Sequence, residues 1–198
     1  MIALALVAVA YVLGTFPSAL MVARASGVDI TMAGSGNPGA SNVSRTLGWK
    51  RGVLVFALDA AKGAIAASVG WSLDARSTGY VSVAAAALGH MYPITRRFRG
   101  GKGVATVGGA MFVLQPIVAT GLLAVWFAIS RITGKASIAS LAIIVLLPIG
   151  AAIAGAPGWE IAAIVGLGAL VMAKHVANIK RLLRHEELSV SASHDKTP

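Results

Sequence analysis

VATVGGAMFVLQPIVATGLLAVWFAIS, residues 104–130, decides how this chain is organised. Read as one apolar run it is a single long helix, and the chain has six. That reading puts RITGK (131–135) outside and the basic C-terminal segment on the face opposite the other basic loops. Read as two helices meeting at Gln115-Pro116, the chain has seven segments and every basic loop lies on one side. Proline ends or kinks a helix at the residue before it, and Lys and Arg concentrate in cytoplasmic loops. Both considerations favour the split. The first piece then has about a dozen residues, roughly 18 Å of helix at ~1.5 Å per residue. This is too short for a hydrocarbon layer of about 30 Å, so a half-helix starting inside the protein is expected.

The rest of the composition agrees with a membrane setting. Of 198 residues, 57% are hydrophobic and 12% charged, and the mean hydropathy is +0.79. A soluble domain of this length needs more polar surface. A transmembrane barrel needs alternating strands of about ten residues, whereas the runs here are continuous and rich in Ala, Leu, Val and Gly. The sequence therefore reads as an all-α, polytopic integral membrane protein. Its formal charge of +10 would point to nucleic acid in a soluble protein. In a membrane protein it points to cytoplasmic loops, anionic headgroups or an anionic substrate, and no nucleic-acid partner is expected. With no cysteine, disulfides, thiol nucleophiles and cysteine metal sites are excluded.

Seven membrane helices are expected over 2–24, 52–73, 79–95, 103–115, 117–131, 137–155 and 159–182. The first lacks the positive n-region of a signal peptide, its first cation being Arg24, and reads as a retained helix. The N-terminus is then outside and the C-terminus cytoplasmic. Loops 25–51, 96–102 and 132–136, with the tail from about Lys174, are cytoplasmic, and the near-neutral connections 72–79 and 155–159 are outside. Residues 1–187 form one transmembrane domain, and the polar stretch 188–198 is expected to be a disordered tail.

Three polar islands interrupt the apolar chain. TMAGSGNPGASNVSRTLGWKRG (31–52) holds a formal G-x-G-x-x-G at Gly34, Gly36 and Gly39. A dinucleotide site would require a preceding strand and a βαβ unit, and Pro38 interrupts the motif. The glycines instead offer backbone N–H groups that close around an anion. Ser35, Asn37, Asn42 and the forked guanidinium of Arg45 add side-chain partners.

The second island, GHMYPITRRFRGGKGVAT (89–106), gathers His90, Arg96, Arg97, Arg99 and Lys102 around Gly100, Gly101 and Gly103. P-loop spacing fails, because Gly103 follows Lys102 where Ser or Thr is required. A glycine turn feeding the N-terminus of the half-helix is the expected geometry, and free N–H groups and the helix dipole favour phosphate there. Lys102 supplies a point charge and Thr106 a hydroxyl, while Arg96 and Arg97 read first as lipid-phosphate contacts that enforce topology.

In the third island, KHVANIKRLLRHEEL (174–188), His175, Asn178 and either Arg181 or Leu182 share one helical face. Glu186 and Glu187 pair with neighbouring cations in a structural role. Within the second helix, Asp59 and Lys62 stand one turn apart and can neutralise each other; a structural and a functional role are both open.

In this order, GSGNPGASNVSRTLG, GHMYP…FRGGKGVAT and HVANIKRLL…E, with Asp59-x-x-Lys62-Gly63, resemble the signature segments of the bacterial membrane family of acyl-phosphate:glycerol-3-phosphate acyltransferases. The family usually has Thr at position 41, Lys at 99 and Gly at 185, where this chain has Ser41, Arg99 and His185. The resemblance implies an enzyme of the bacterial cytoplasmic membrane with its active site facing the cytoplasm. It would acylate the 1-position of sn-glycerol 3-phosphate to give lysophosphatidic acid in phospholipid synthesis. The donor would be an acyl phosphate, made by a functional upstream partner. It also implies that Gly100, Gly101 and Lys102 belong to the glycerol-phosphate site. Ser35, Arg45, His175 and Asn178 fall on the family's important polar positions.

The residues fit that chemistry. Both substrates carry phosphate, so two anion cradles are needed, and an activated acyl group needs no covalent nucleophile. Positioning and charge stabilisation suffice. The catalytic set expected is Ser35, Arg45, Lys102, His175 and Asn178, with Gly34, Gly36, Asn37, Gly39, Asn42, His90, Gly100, Gly101, Gly103, Thr106 and Arg181 binding substrate. The hydroxyl proton goes either to His175 or to a substrate phosphate. The H-x-x-x-x-D dyad is missing, no cofactor is expected, and loop carboxylates are too few for a magnesium site. The rival classes are a transporter of a phosphorylated solute, with anion groups near the midplane, and a non-catalytic subunit whose basic loops hold lipid headgroups.

Overall fold

The computed structural model describes residues 1–190, all of whose regular structure is helical. Ten α-helices follow one another: α1 (Ile2–Gly14), α2 (Ser18–Arg24), α3 (Ala40–Leu47), α4 (Trp49–Leu73), α5 (Arg76–Met91), α6 (Val104–Leu114), α7 (Pro116–Thr133), α8 (Ala136–Ile153), α9 (Gly158–Lys174) and α10 (Val176–Leu183). Among the described residues, four spans are long and apolar enough to cross a membrane: Ile2–Arg24, Trp49–Leu73, Pro116–Thr133 and Ala136–Ile153. The bent pair α9 and α10 makes a fifth if counted as one.

The break at Gln115-Pro116 is where the sequence places it. Helix α6 has 11 residues and α7 begins at Pro116. Pro116 has no N–H to continue α6, so its last carbonyls need other partners. Arg76 takes one, donating from Nη2 to the Leu114 carbonyl at 2.5 Å. The same guanidinium holds Glu160 through Nε at 2.6 Å and Nη2 at 3.0 Å. Tyr80 Oη and Gln115 Nε2 donate to that carboxylate at 2.7 and 2.8 Å. This network joins α5, α9 and the α6–α7 junction.

Three local departures from the expected helices have visible causes. The first helix breaks between Gly14 and Ser18, around Pro17. The expected loop 25–51 contains the amphipathic helix α3. The last helix does not run through 159–182: it bends by 59° at His175. There the His175 N–H reaches back to the Met172 carbonyl at 2.8 Å, and Nδ1 takes the Val171 carbonyl that a continuous helix would give to the backbone.

Small residues let the helices cross closely, as membrane helix pairs require. A Cβ on Gly63 of α4 would lie 1.8 Å from the Thr106 carbonyl of α6, and one on Gly109 would lie 2.1 Å from the Ala60 carbonyl. The reciprocal pair Gly14 and Gly89 joins α1 to α5 in the same way. Helix α5, lined with buried Tyr80, Val83, Ala87 and Met91, sits inside this packing. Of the expected tail, residues 191–198 lie outside the described residues. Residues 188–190 are tethered: Val190 N donates to the Gly134 carbonyl at 2.7 Å.

Candidate active site

The first island folds around Asn42. Its Oδ1 accepts from Ser35 N at 2.9 Å and from Arg45 Nη1 at 3.3 Å. Its Nδ2 donates to the carbonyls of Ala33 and Ile30 at 2.9 and 3.3 Å. Gly34, at φ +57°, admits this: a Cβ there would sit 2.3 Å from Asn42 Oδ1. Asn42 on α3 thus pulls the loop over itself and presents Ser35, Gly36 and Asn37 outward.

The second island follows α5. Arg97 and Phe98 both adopt left-handed backbone, φ +50° and +62°, a conformation that is costly for residues with side chains. The turn swings Arg99 and Gly100 back beneath the end of α5, where Gly101 N donates to the His90 carbonyl at 3.1 Å. Gly103, at φ +82°, is the N-cap of α6.

The third island is closed by a turn after α10. His185 N donates to the Leu182 carbonyl and Glu186 N to the Arg181 carbonyl, at 3.1 and 2.8 Å. This is the paired bonding that ends many helices, in which a left-handed residue, usually glycine, stands second after the helix. Here it is His185, at φ +59°. The substituted position keeps the backbone conformation that glycine would adopt freely. The turn returns Glu187 to the helix, where it accepts from Asn178 Nδ2 at 2.6 Å and from Arg181 Nε at 2.8 Å.

These islands meet at a cavity of about 410 Å³. Its lining brings together Ser35, Gly36 and Asn37 from the first, Gly100 and Lys102 from the second, and Asn178 and Arg181 from the third. Arg99, one of the cations gathered in the second island, also lines it, as does Lys174, which did not stand in the expected site. The signals were present: Arg99 abuts the glycine pair and Lys174 precedes His175. Lys174 is braced by the Met91 carbonyl at 3.2 Å and lies 4.4 Å from the Tyr92 ring centroid. Asn178 Oδ1 is buried with no hydrogen-bond partner, so the residue offers an uncommitted acceptor.

The other expected residues stand back from the cavity lining. Gly34, Gly39, Asn42, Gly101 and Gly103 shape the loops. Arg45 is held by the Ser189 carbonyl at 2.7 Å and lies near Glu187 and Arg181. His175 is buried at the α9–α10 bend; its Nδ1 proton is committed to Val171 O, which leaves Nε2 with the lone pair. Thr106 is buried within α6, and His90 lies under the glycine loop, against Gly101.

Electrostatics at the cavity are strongly positive. Burial, chiefly, brings the Lys102 ammonium down to about 8; Glu187 opposes this, and Arg181, Arg45 and Lys174 add to it. Burial alone would raise the Glu187 carboxyl, but hydrogen bonds led by that of Asn178, with the Arg181 guanidinium, hold it below the ordinary carboxylate range.

The glycine loops and helix end enclose a cavity with four cations, the kinds of group that phosphate-bearing molecules favour. The chain belongs to the glycerol-3-phosphate acyltransferase family, whose model matches residues 4–185. The Glycerol-3-phosphate acyltransferase of Aquifex aeolicus is 40% identical over 188 residues, 93% of this chain and 97% of the relative. That of Thioalkalivibrio sulfidiphilus is also 40% identical, over 94% of this chain and 93% of its own. Among solved structures, PlsY, an integral membrane glycerol 3-phosphate acyltransferase, superposes in its glycerol 3-phosphate form with a TM-score of 0.89. It is 39% identical, with 96% of both chains covered. Its lysophosphatidic acid form gives 0.88 at the same identity, over 96% of this chain and 95% of that one. The enzyme reading therefore stands over the transporter and headgroup-binding alternatives.

Proposed function

We propose that this enzyme transfers a fatty acyl group from acyl phosphate to the 1-hydroxyl of sn-glycerol 3-phosphate, releasing lysophosphatidic acid and inorganic phosphate. The observation that carries the reading is the single cavity where Arg99, Lys102, Lys174 and Arg181 converge. Two phosphate groups bring roughly four negative charges near neutral pH, since the second pKa of a phosphate monoester is about 6. Four cationic side chains answer them. A thioester donor brings no phosphate to its reacting end.

Lys102 and the Gly100–Gly101 turn hold the phosphate of the acceptor, with Arg181 and Arg45 at its flank. Ser35 and the loop N–H groups face the oxyanion that develops at the acyl carbonyl. Asn178 Oδ1, otherwise unpartnered, accepts the glycerol hydroxyl and aims it. The hydroxyl oxygen bonds to the acyl carbon, the acyl–phosphate bond breaks, and the hydroxyl proton leaves on inorganic phosphate. A substrate phosphate oxygen takes that proton, because the cavity holds phosphate while His175 stands behind its wall. In this reading the chain crosses the bacterial inner membrane in seven segments, counting short α5 and α6, with the N-terminus outside and the C-terminus inside. The cavity then faces the cytoplasm, and the cations of the loops that line it support this orientation. The acyl chain enters from the bilayer. An upstream enzyme that makes acyl phosphate supplies the donor.

The donor assignment is tested by offering the purified enzyme glycerol 3-phosphate with either palmitoyl phosphate or palmitoyl-coenzyme A. Lysophosphatidic acid is expected from the first alone. Equal rates from both donors would overturn the assignment.

A further inference from the structure

Three ionisable side chains are buried behind the glycine loop, and the chemistry above does not use them. Asp59 and Lys62 on α4 are 3% exposed and His90 on α5 is 5% exposed, and none of the three lines the cavity. Lys62 Nζ has three protons and three acceptors: Asp59 Oδ1 at 2.9 Å, His90 Nδ1 at 2.9 Å and the Phe16 carbonyl at 3.2 Å. Because the ammonium donates to Nδ1, the His90 ring carries its proton on Nε2.

Charge neutrality does not require His90. Asp59 and Lys62 balance each other, and well-packed apolar side chains replace a buried ion pair at little or no cost in stability. What Lys62 adds is a fixed ring orientation, and the ring lies against the phosphate loop. A Cβ on Gly101 would lie 2.1 Å from His90 Nε2, and one on Gly100 would lie 2.0 Å from the His90 carbonyl. That carbonyl also accepts the Gly101 N–H. Lys62 meanwhile ties in the carbonyl of Phe16, at the break between α1 and α2.

We infer that Asp59, Lys62 and His90 are positioning residues: the ion pair locks the His90 ring, and the ring sets the height and register of Gly100–Lys102, and so the reach of Lys102 into the cavity. The inference rests on the reading of Lys102 as a ligand of glycerol 3-phosphate. It makes the cluster specific for the acceptor, because the loop it supports grips that substrate and not the acyl donor.

The test is the pattern of kinetic constants. Wild-type acylation of glycerol 3-phosphate is measured first; its absence would sink the proposed function and not the role of the cluster. The paired variant Asp59→Asn/Lys62→Met removes both charges of the pair together. Arg96, half-buried beside Asp59, loses a counter-charge, so the same pair of substitutions is also made in an Arg96→Gln background as a control. The paired variant is expected to raise the KM for glycerol 3-phosphate about tenfold or more, since small misplacements in a site cost that much. The KM for palmitoyl phosphate should stay within about twofold. A purely structural cluster would lower the active fraction alone; unchanged KM with reduced kcat would overturn the inference. If that variant does not fold, His90→Ala, Gly101→Ala and their combination form a cycle. Removing the ring clears the space that the new methyl needs, so the combined rise in KM should be smaller than the product of the two single rises. Multiplicative effects would refute contact between ring and loop.

Discussion

Raising the pH should unload the phosphate cradle through one lysine. The Lys102 ammonium is held at about 8, against an ordinary value of 10.5, chiefly by burial. In the free enzyme it is then roughly nine-tenths protonated at pH 7 and about one-tenth at pH 9. Glycerol 3-phosphate is dianionic across this range, its second pKa being about 6, so the substrate does not titrate with it. A charge-assisted hydrogen bond contributes about 1.5–3 kcal/mol, or roughly tenfold to over a hundredfold in affinity. The kcat/KM for glycerol 3-phosphate should therefore fall above about pH 8, approaching tenfold per pH unit. A bound dianion stabilises the ammonium, so kcat at saturation should hold to higher pH. The assay is initial-rate acyl transfer from pH 6.5 to 9.5 with subtraction of spontaneous acyl phosphate hydrolysis. In Lys102→Arg, whose guanidinium stays charged, the alkaline limb should vanish. A wild-type profile flat to pH 9.5, or an unchanged limb in Lys102→Arg, would refute the assignment. The same lowered value means that charging Lys102 opposes folding below about pH 8, so its contribution should make the protein more stable as pH rises from 8 toward 10.5.

Glu187→Gln removes the carboxylate that holds Asn178 and Arg181; kcat/KM should drop about 10–100-fold. The alkaline limb should also move below its wild-type position, because Glu187 opposes the lowering at Lys102. Wild-type kinetics would show that Glu187 is a bystander. Gly63→Ala drives a methyl into the Thr106 carbonyl and should cost about 2 kcal/mol or more, read as a lower Tm in detergent; an unchanged Tm would contradict the crossing. His185→Gly relieves left-handed backbone at φ +59°. It should stabilise by up to about 1 kcal/mol without changing KM, and a loss of stability would argue against the turn.

What the sequence made legible follows from locality. Pro116 speaks for itself because a missing N–H acts on its own helix. Pro17 carried the same signal inside a run long enough to read as one span. The bend at His175 was hidden, because it arises when a side chain competes for the Val171 carbonyl. Helix α3 was masked by the polar, glycine-rich composition around it. The Arg76–Glu160 network joins residues 84 apart in sequence, which no local pattern encodes.

The three islands were legible because glycines, amides and cations are concentrated there against an apolar background. Which members face the cavity depends on packing. Asn178, Arg181 and Lys102 do; His175, expected on the same helical face as Asn178, does not, because the helix bends there. His90 faces the underside of the loop, and Asn42 spends its amide on the backbone around it. Glu187 was placed in a structural pair; the turn at His185 returns it to Asn178 and Arg181, which line the cavity.

The central claim is that the islands form one phosphate-binding cavity in which glycerol 3-phosphate is acylated. Its most direct test follows inorganic phosphate and lysophosphatidic acid together, using purified protein, palmitoyl phosphate and glycerol 3-phosphate. The account predicts equal amounts of the two products from the wild type and neither above background from folded Lys102→Ala. Normal turnover in Lys102→Ala, or phosphate released by the wild type without lipid, would contradict it.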